Sequence, residues 1–343
     1  MGLRPRWLPG AAACGILTNA FWADDASAHV KWFCAFDVAG QPRNLENVLC
    51  ANFELLVGAA ILALLMGCLL ERTPVGDGMN RAFDRVFSPV QANTELMFRA
   101  GCGFFFVAIW AVGGILLTPE LKTTSPAIGF LHLAIAAGML SRRTMPLSAF
   151  GILLLFIIAI LQYGAFHLAD YPVFLGVAAY LALTGAQSNF FGKRPIDIVR
   201  WAAAITLMWA SVEKWAYPQW TFPLINDNPA MTFGFDPEFF MQAAGVVEFT
   251  LAFALIWTPL VRRVAAIMLA ATFVSAIAEF GKIDAIGHAL IIVVLVAVAA
   301  DNITVPERRW SSLLAPAAYC VALAAFLTLY YVSHAAIFGS GVS

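Results

Sequence analysis

Pro146-Leu-Ser-Ala-Phe-Gly-Ile-Leu-Leu-Leu-Phe-Ile-Ile-Ala-Ile-Leu-Gln-Tyr-Gly-Ala-Phe166 runs for twenty-one residues without a charge. As a helix it would extend about 31 Å at 1.5 Å per residue, which matches the roughly 30 Å of hydrocarbon in a bilayer. Comparable stretches lie near 51–71, 98–118, 126–141, 170–187, 197–215, 237–258, 263–280, 284–300 and 312–337. The pattern predicts an all-α, polytopic transmembrane helical bundle of about ten spans. Composition agrees: 61% of the 343 residues are hydrophobic and 12% are charged. A water-soluble domain carries about a quarter charged residues, so the lipid bilayer is the expected surrounding. Twenty Lys and Arg against 21 Asp and Glu leave no basic surplus for nucleic acid.

Arg4 and Arg6 precede an apolar run from Leu8 to Trp22 and then Ala26-Ser27-Ala28, the order of a secretory signal peptide. Residues 1–28 are read as a signal peptide or a retained signal anchor, and either puts residues 29–50 outside. Threading from there places Arg72, Arg81, Arg85, Arg99, Arg142, Arg143, Lys193, Arg194, Arg200, Arg262, Arg263, Arg308 and Arg309 inside, and only Lys31, Arg43, Lys122, Lys214 and Lys282 outside. Thirteen against five is a positive-inside bias, which predicts a bacterial cytoplasmic (inner) membrane with the C-terminus also outside. Between the first two spans, Met79, Phe83, Val86, Phe87 and Val90 alternate with Arg81, Asp84 and Arg85, a pattern for a cytoplasmic interfacial helix bent at Ser88-Pro89.

Two segments resemble each other. Arg99 and Arg200 each head a span, at an offset of 101. His132 and Glu248 fall in matching places at an offset of 116, and Tyr163-Gly164 matches Phe280-Gly281 at 117. Paired arginines, Arg142-Arg143 and Arg262-Arg263, follow the second span of each copy. The organisation predicted is a first span with its interfacial helix over 51–97, four-helix units over 98–187 and 197–301, and a last span over 312–337. Units with an even number of spans share one orientation, so the two would be parallel repeats about an axis along the membrane normal.

An ionisable side chain in a span costs at least about 2.5 kcal/mol at the bilayer centre, so such residues are functional candidates. Glu248 sits among Val246, Val247, Phe249 and Leu251 and must be protonated or matched by a partner. His132 occupies the equivalent place. Nearer the outer surface lie Glu213, Lys214, Glu279, Lys282, Asp284 and His288, with His167, Asp170 and Tyr171 in the first unit. Carboxylates beside imidazoles relay protons, because histidine titrates near neutrality. The same residues also serve as buried staples or solvated loop polarity, and the sequence leaves these roles open. Trp215 and Trp220 in an aromatic outer loop suit an interfacial belt or a seat for a quinone ring.

No HxxxH or CxxC spacing is present, so no metal site is expected, and no nucleotide loop, catalytic triad or haem-attachment motif occurs. Cys34 and Cys50 both fall in the first outer segment and could bridge it. A free His29, if cleavage follows Ala28, would offer an amine and imidazole to copper without a second histidine nearby.

Arg200, Glu213-Lys214, Gly245-Val-Val-Glu248, Arg262-Arg263 and Phe280-Gly-Lys-Ile-Asp-Ala-Ile-Gly-His288 together resemble the DoxX family of small four-helix membrane proteins, related to the DoxD-type subunit of thiosulfate:quinone oxidoreductase. The resemblance covers about a third of the chain, and the first unit departs from it where His132 replaces the glutamate. It implies a membrane subunit of a redox system that works beside a protein partner, or as a homo-oligomer, with quinone as the acceptor. In that reading Glu248, His132, Glu213 and Lys214 handle protons, and Trp215, Trp220, Glu279, Asp284 and His288 face the cofactor. The alternatives are a structural or assembly subunit without catalysis and a transporter of a small solute or ion.

Overall fold

A computed structural model describes residues 30–302 and 311–339 of the chain. The signal segment, His29, Arg308 and Arg309 lie outside the described residues. Those described form helices and connections, without a strand among them.

In chain order the helices are α1 (Val30–Phe33), α2 (Leu45–Val48), α3 (Ala51–Leu70), α4 (Pro74–Ala92), α5 (Thr94–Val112), α6 (Pro126–Gly138), α7 (Met145–Tyr163), α8 (Ala165–Leu168), α9 (Pro172–Gly185), α10 (Pro195–Ala216), α11 (Phe222–Asp227), α12 (Pro237–Ala254), α13 (Pro259–Ala300) and α14 (Ser311–Phe338). Proline in the first turn opens α4, α6, α7, α9, α10, α12 and α13, where its missing N–H removes no helical bond. Six segments are long and apolar enough to cross a membrane: Ala51–Leu70, Thr94–Val112, Arg142–Tyr163, Pro195–Ala216, Pro259–Ala300 and Leu314–Phe338. α6 and α9 are shorter apolar helices. Leu55, Phe130, Leu147 and Leu161 are each more than two-thirds exposed on the perimeter, an arrangement suited to hydrocarbon rather than water.

α13 contains 42 residues and would be about 63 Å long if straight. Arg262 in its first turn nevertheless lies 3.5 Å from Asp301 just past its end. The helix is therefore a hairpin, folded back at Gly281, whose φ of 74° and ψ of −146° suit only glycine. Phe273 and His288 stack across the two arms at 4.5 Å between ring centroids. Gly164, the residue aligned with Gly281 in the sequence, also has a positive φ, 84°, and breaks the chain between α7 and α8.

The bundle has two ends. One is capped by residues 30–50 and by the 217–236 connection. Here Tyr217 donates its hydroxyl to the Gly40 carbonyl at 2.7 Å, Tyr331 donates to the Arg43 carbonyl at 2.7 Å, and Arg43 pairs with Glu238. The opposite end is rich in arginine. Arg194 bonds both oxygens of Asp301 at 2.9 and 3.0 Å and both of Asp197, while Arg200 reaches Asp197 at 3.0 Å. This network ties α10 to both ends of the α13 hairpin. α4 runs on through Pro89 to Ala92, with its turn at Asn93 rather than at Ser88-Pro89, and docks on α13 through Asp84 and Arg263 at 2.6 Å.

The bridge considered for Cys34 and Cys50 is not made; both thiols are free. Cys50 precedes α3 and faces the Gln242 amide of α12 at 3.3 to 3.6 Å, whereas Cys34 sits beside Leu224 of α11. The two face different neighbours.

Candidate functional site

At the capped end, the connection between α8 and α9 holds Asp170, and the last turns of α10 hold Glu213 and Lys214. Asp170 and Glu213 both pair with one ammonium, that of Lys31 in α1. All three are buried, Lys31 to 4% exposure. Burial alone would strip the charge from Lys31, but the two carboxylates outweigh it and hold the ammonium above its usual range. The faces of Trp220 and Phe36 lie 5.6 and 5.8 Å from Lys31 Nζ, within reach of a cation–π attraction. Trp220 is fixed in turn by stacking on Tyr217 at 4.1 Å.

A third carboxylate approaches from the α5–α6 connection. Tyr171 and Thr118 both donate hydroxyl hydrogen bonds to Glu120 Oε1, the latter at 2.8 Å. Desolvation raises the Glu120 carboxyl to about 7, so it titrates near neutrality. His167 on α8 is buried beside Phe36 and Tyr163. Burial, reinforced by Lys31, lowers its imidazole to about 4 and keeps it neutral.

Deeper in the bundle, Lys214 turns to Glu248 of α12 at 2.6 Å. Neighbours in sequence thus serve different carboxylates, Glu213 taking Lys31 and Lys214 taking Glu248. Three residues past the Gly281 bend, Asp284 is completely buried and bonds His288 Nδ1 at 2.9 Å. The His288 ring is held between Phe273 and Trp32, the latter with ring centroids 4.9 Å away. A chamber of about 80 Å³ is lined by Trp32, Asp170, Tyr171, Glu248, Phe273 and His288 among others. It is large enough for several waters and joins the groups around Lys31 to those around Glu248.

The other candidates lie elsewhere. His132 is buried on α6 and bonds the Leu116 carbonyl through Nε2 at 3.0 Å, which staples α6 to the α5–α6 connection. A cleft of about 350 Å³ passes beside it, lined by Trp110, Thr123 and Gly129. Trp215 is buried in the core, donates its indole N–H to the Gln242 carbonyl at 3.3 Å, and packs edge-on to Phe53. Glu279 and Lys282 are exposed at the Gly281 bend. An apolar cleft of about 480 Å³ lies between α3, α12 and the first arm of α13, lined by Leu56, Ala60, Leu64, Val247, Thr250 and Met268 among others. No group of three or more His, Cys, Asp or Glu suited to a metal ion occurs among the described residues.

Lys31 and Glu120 were not singled out from sequence. Lys31 lies 139 residues from Asp170, so no local spacing reveals the pair. The available signal was a lone lysine among aromatics in the first outer segment, Lys31-Trp-Phe-Cys-Ala-Phe36. No protein-family profile, curated protein or solved structure matches the chain.

Proposed function

We propose that the chain is an integral protein of a bacterial cytoplasmic membrane that handles the proton of a redox step, as the membrane subunit of a quinone-linked system working beside a partner. Ten crossings follow if the two arms of α13 and the shorter helices α6, α9 and α12 all span with the long ones. The capped end is then outside, and the arginine-rich end, with Arg99, Arg142, Arg194 and Arg262, is inside. Positive-φ glycines at Gly164 and Gly281 support the repeat reading of the two four-helix units.

The observation that carries the proposal is that Asp170, Glu248 and His288 line one small chamber, while their ion-pair partners Lys31, Lys214 and Asp284, and Glu213 beyond Lys31, stand behind them. Charged groups in a bilayer are costly, and here carboxylates alternate with an imidazole and a phenol, the groups a proton relay uses. The chamber is smaller than a quinone ring, so the carrier itself requires another seat. The apolar cleft supplies one, because Val247 on its wall adjoins Glu248 in the chain. The resemblance of residues 200–301 to the DoxX family points the same way.

A second reading, a transporter of a small cation, draws on the helix breaks at Gly164 and Gly281, since interrupted helices flank many transport sites. The deciding experiment is a quinone assay on lipids extracted from the purified protein, paired with proton-flux measurements in proteoliposomes. Bound quinone that is lost in Glu248→Gln supports the redox subunit. Quinone-free protein with a flux abolished by Asp284→Asn supports the transporter. Protein with neither property is a structural subunit, and the proposal fails.

A further inference from the structure

Lys31 does not simply neutralise a nearby acid. Its Nζ is held by one oxygen each of Asp170 and Glu213, which come from different parts of the bundle, and two aromatic faces close the remaining side. The other oxygens, Asp170 Oδ1 and Glu213 Oε1, are buried and accept no hydrogen bond among the described residues. Glu120 Oε2, on the neighbouring α5–α6 connection, is in the same condition. Acceptors and aromatic faces exceed what one ion pair requires. An ammonium offers three N–H donors on a compact charge, whereas a guanidinium is planar and wider.

Most of the cage belongs to the bundle and not to the segment that fills it. Asp170 follows α8, Glu213 is on α10 and Trp220 stacks on Tyr217; only Phe36 belongs with Lys31 to the first outer segment. α1 is four residues long and enters the bundle beside Gly287, where the Trp32 ring takes the space a Cβ would occupy. The segment therefore sits in the bundle as a ligand sits in a site.

We propose that Asp170, Glu213 and Trp220 form a binding site for a primary ammonium group at the capped end, and that Lys31 is its resident, tethered occupant. The site recognises R–NH3⁺ through hydrogen bonds to two carboxylates and through contact with aromatic faces. It is independent of the redox reading and holds equally for a transporter or a structural subunit.

Removing the occupant tests this. In Lys31→Ala, ethylammonium chloride should raise the melting temperature saturably, by at least about 3 °C. Tetramethylammonium chloride and potassium chloride at equal ionic strength should not, because neither donates N–H bonds. Adding Glu213→Gln should abolish the response. Equal responses to all three salts would overturn the proposal and leave Lys31 as an ordinary ion pair. Should Lys31→Ala fold poorly, the yield of folded protein with each salt gives the same comparison. Lys31→Arg keeps the charge and provides a second check. A melting temperature below wild type fits an ammonium-shaped site, and one equal to wild type contradicts it.

Discussion

Arg262 and Asp301 stand 39 positions apart in the chain and 3.5 Å apart in space, at the two ends of a helical hairpin. Their proximity requires the reversal at Gly281. No side chain would obstruct a Cβ there, so any effect of Gly281→Ala comes from the backbone alone. The expected cost is about 1–3 kcal/mol, from the strain of a side chain at this φ and ψ. Gly58→Ala on α3, where the space is equally open and φ is ordinary, should be neutral or slightly stabilising. Chemical denaturation in detergent would compare the two.

Lys214 and Glu248 should be energetically coupled. A double-mutant cycle with Lys214→Met and Glu248→Gln is expected to give an interaction of about 1–3 kcal/mol, since contacting groups in one network seldom add. Additivity within about 0.3 kcal/mol would show that each residue finds other partners.

Glu120 predicts a pH dependence. Its carboxyl is raised to about 7 in the fold, against an ordinary value of 4.5. Between those values the folded state keeps a proton that the unfolded state releases, so this group's contribution falls as pH rises through the interval. His167, lowered from 6.5 to about 4, acts in the opposite sense, favouring the fold as pH rises from about 4 to 6.5. Glu120→Gln should therefore leave a stability profile that rises more steeply with pH than wild type below about 7. Parallel melting curves from pH 4.5 to 7.5 would contradict the assignment.

Gly245 allows Trp215 to reach α12. A Cβ at that position would lie 2.2 Å from the indole nitrogen, so Gly245→Ala must push the ring off its bond to the Gln242 carbonyl. A loss of about 1–3 kcal/mol is expected from overpacking. Gly103→Ala meets its nearest side-chain atom at 3.6 Å and serves as the tolerated control. Tryptophan fluorescence would report the displaced ring.

The helices were legible because long apolar runs favour them: all ten runs overlap helices, and six helical segments are long and apolar enough to cross a membrane. Glu248 was also legible in part: a carboxylate in that setting needs a partner, and Lys214 provides it. The sequence placed Asp284 and His288 one helical turn apart, and they bond as that spacing allows. Trp215 read as an interfacial residue because aromatic loops favour that position, but a small residue at Gly245 drew it into the core. Lys31 was counted only among outer charges, because its partners arrive from 139 residues or more downstream.

The same separation sets an order of assembly. Glu213 follows Lys31 by 182 residues (213 − 31), and Asp301, which joins Arg194 and Arg262, comes 88 residues later still (301 − 213). At about 5–20 residues per second, the ribosome needs roughly 9–36 s after making Lys31 before Glu213 exists at all. Asp170 arrives first, 139 residues after Lys31, so the first outer segment waits until then with its lysine unmatched and until Glu213 is made with only one of its two carboxylates. The capped end is completed last, because Tyr331, which donates to the Arg43 carbonyl, is made after both carboxylates and after Asp301.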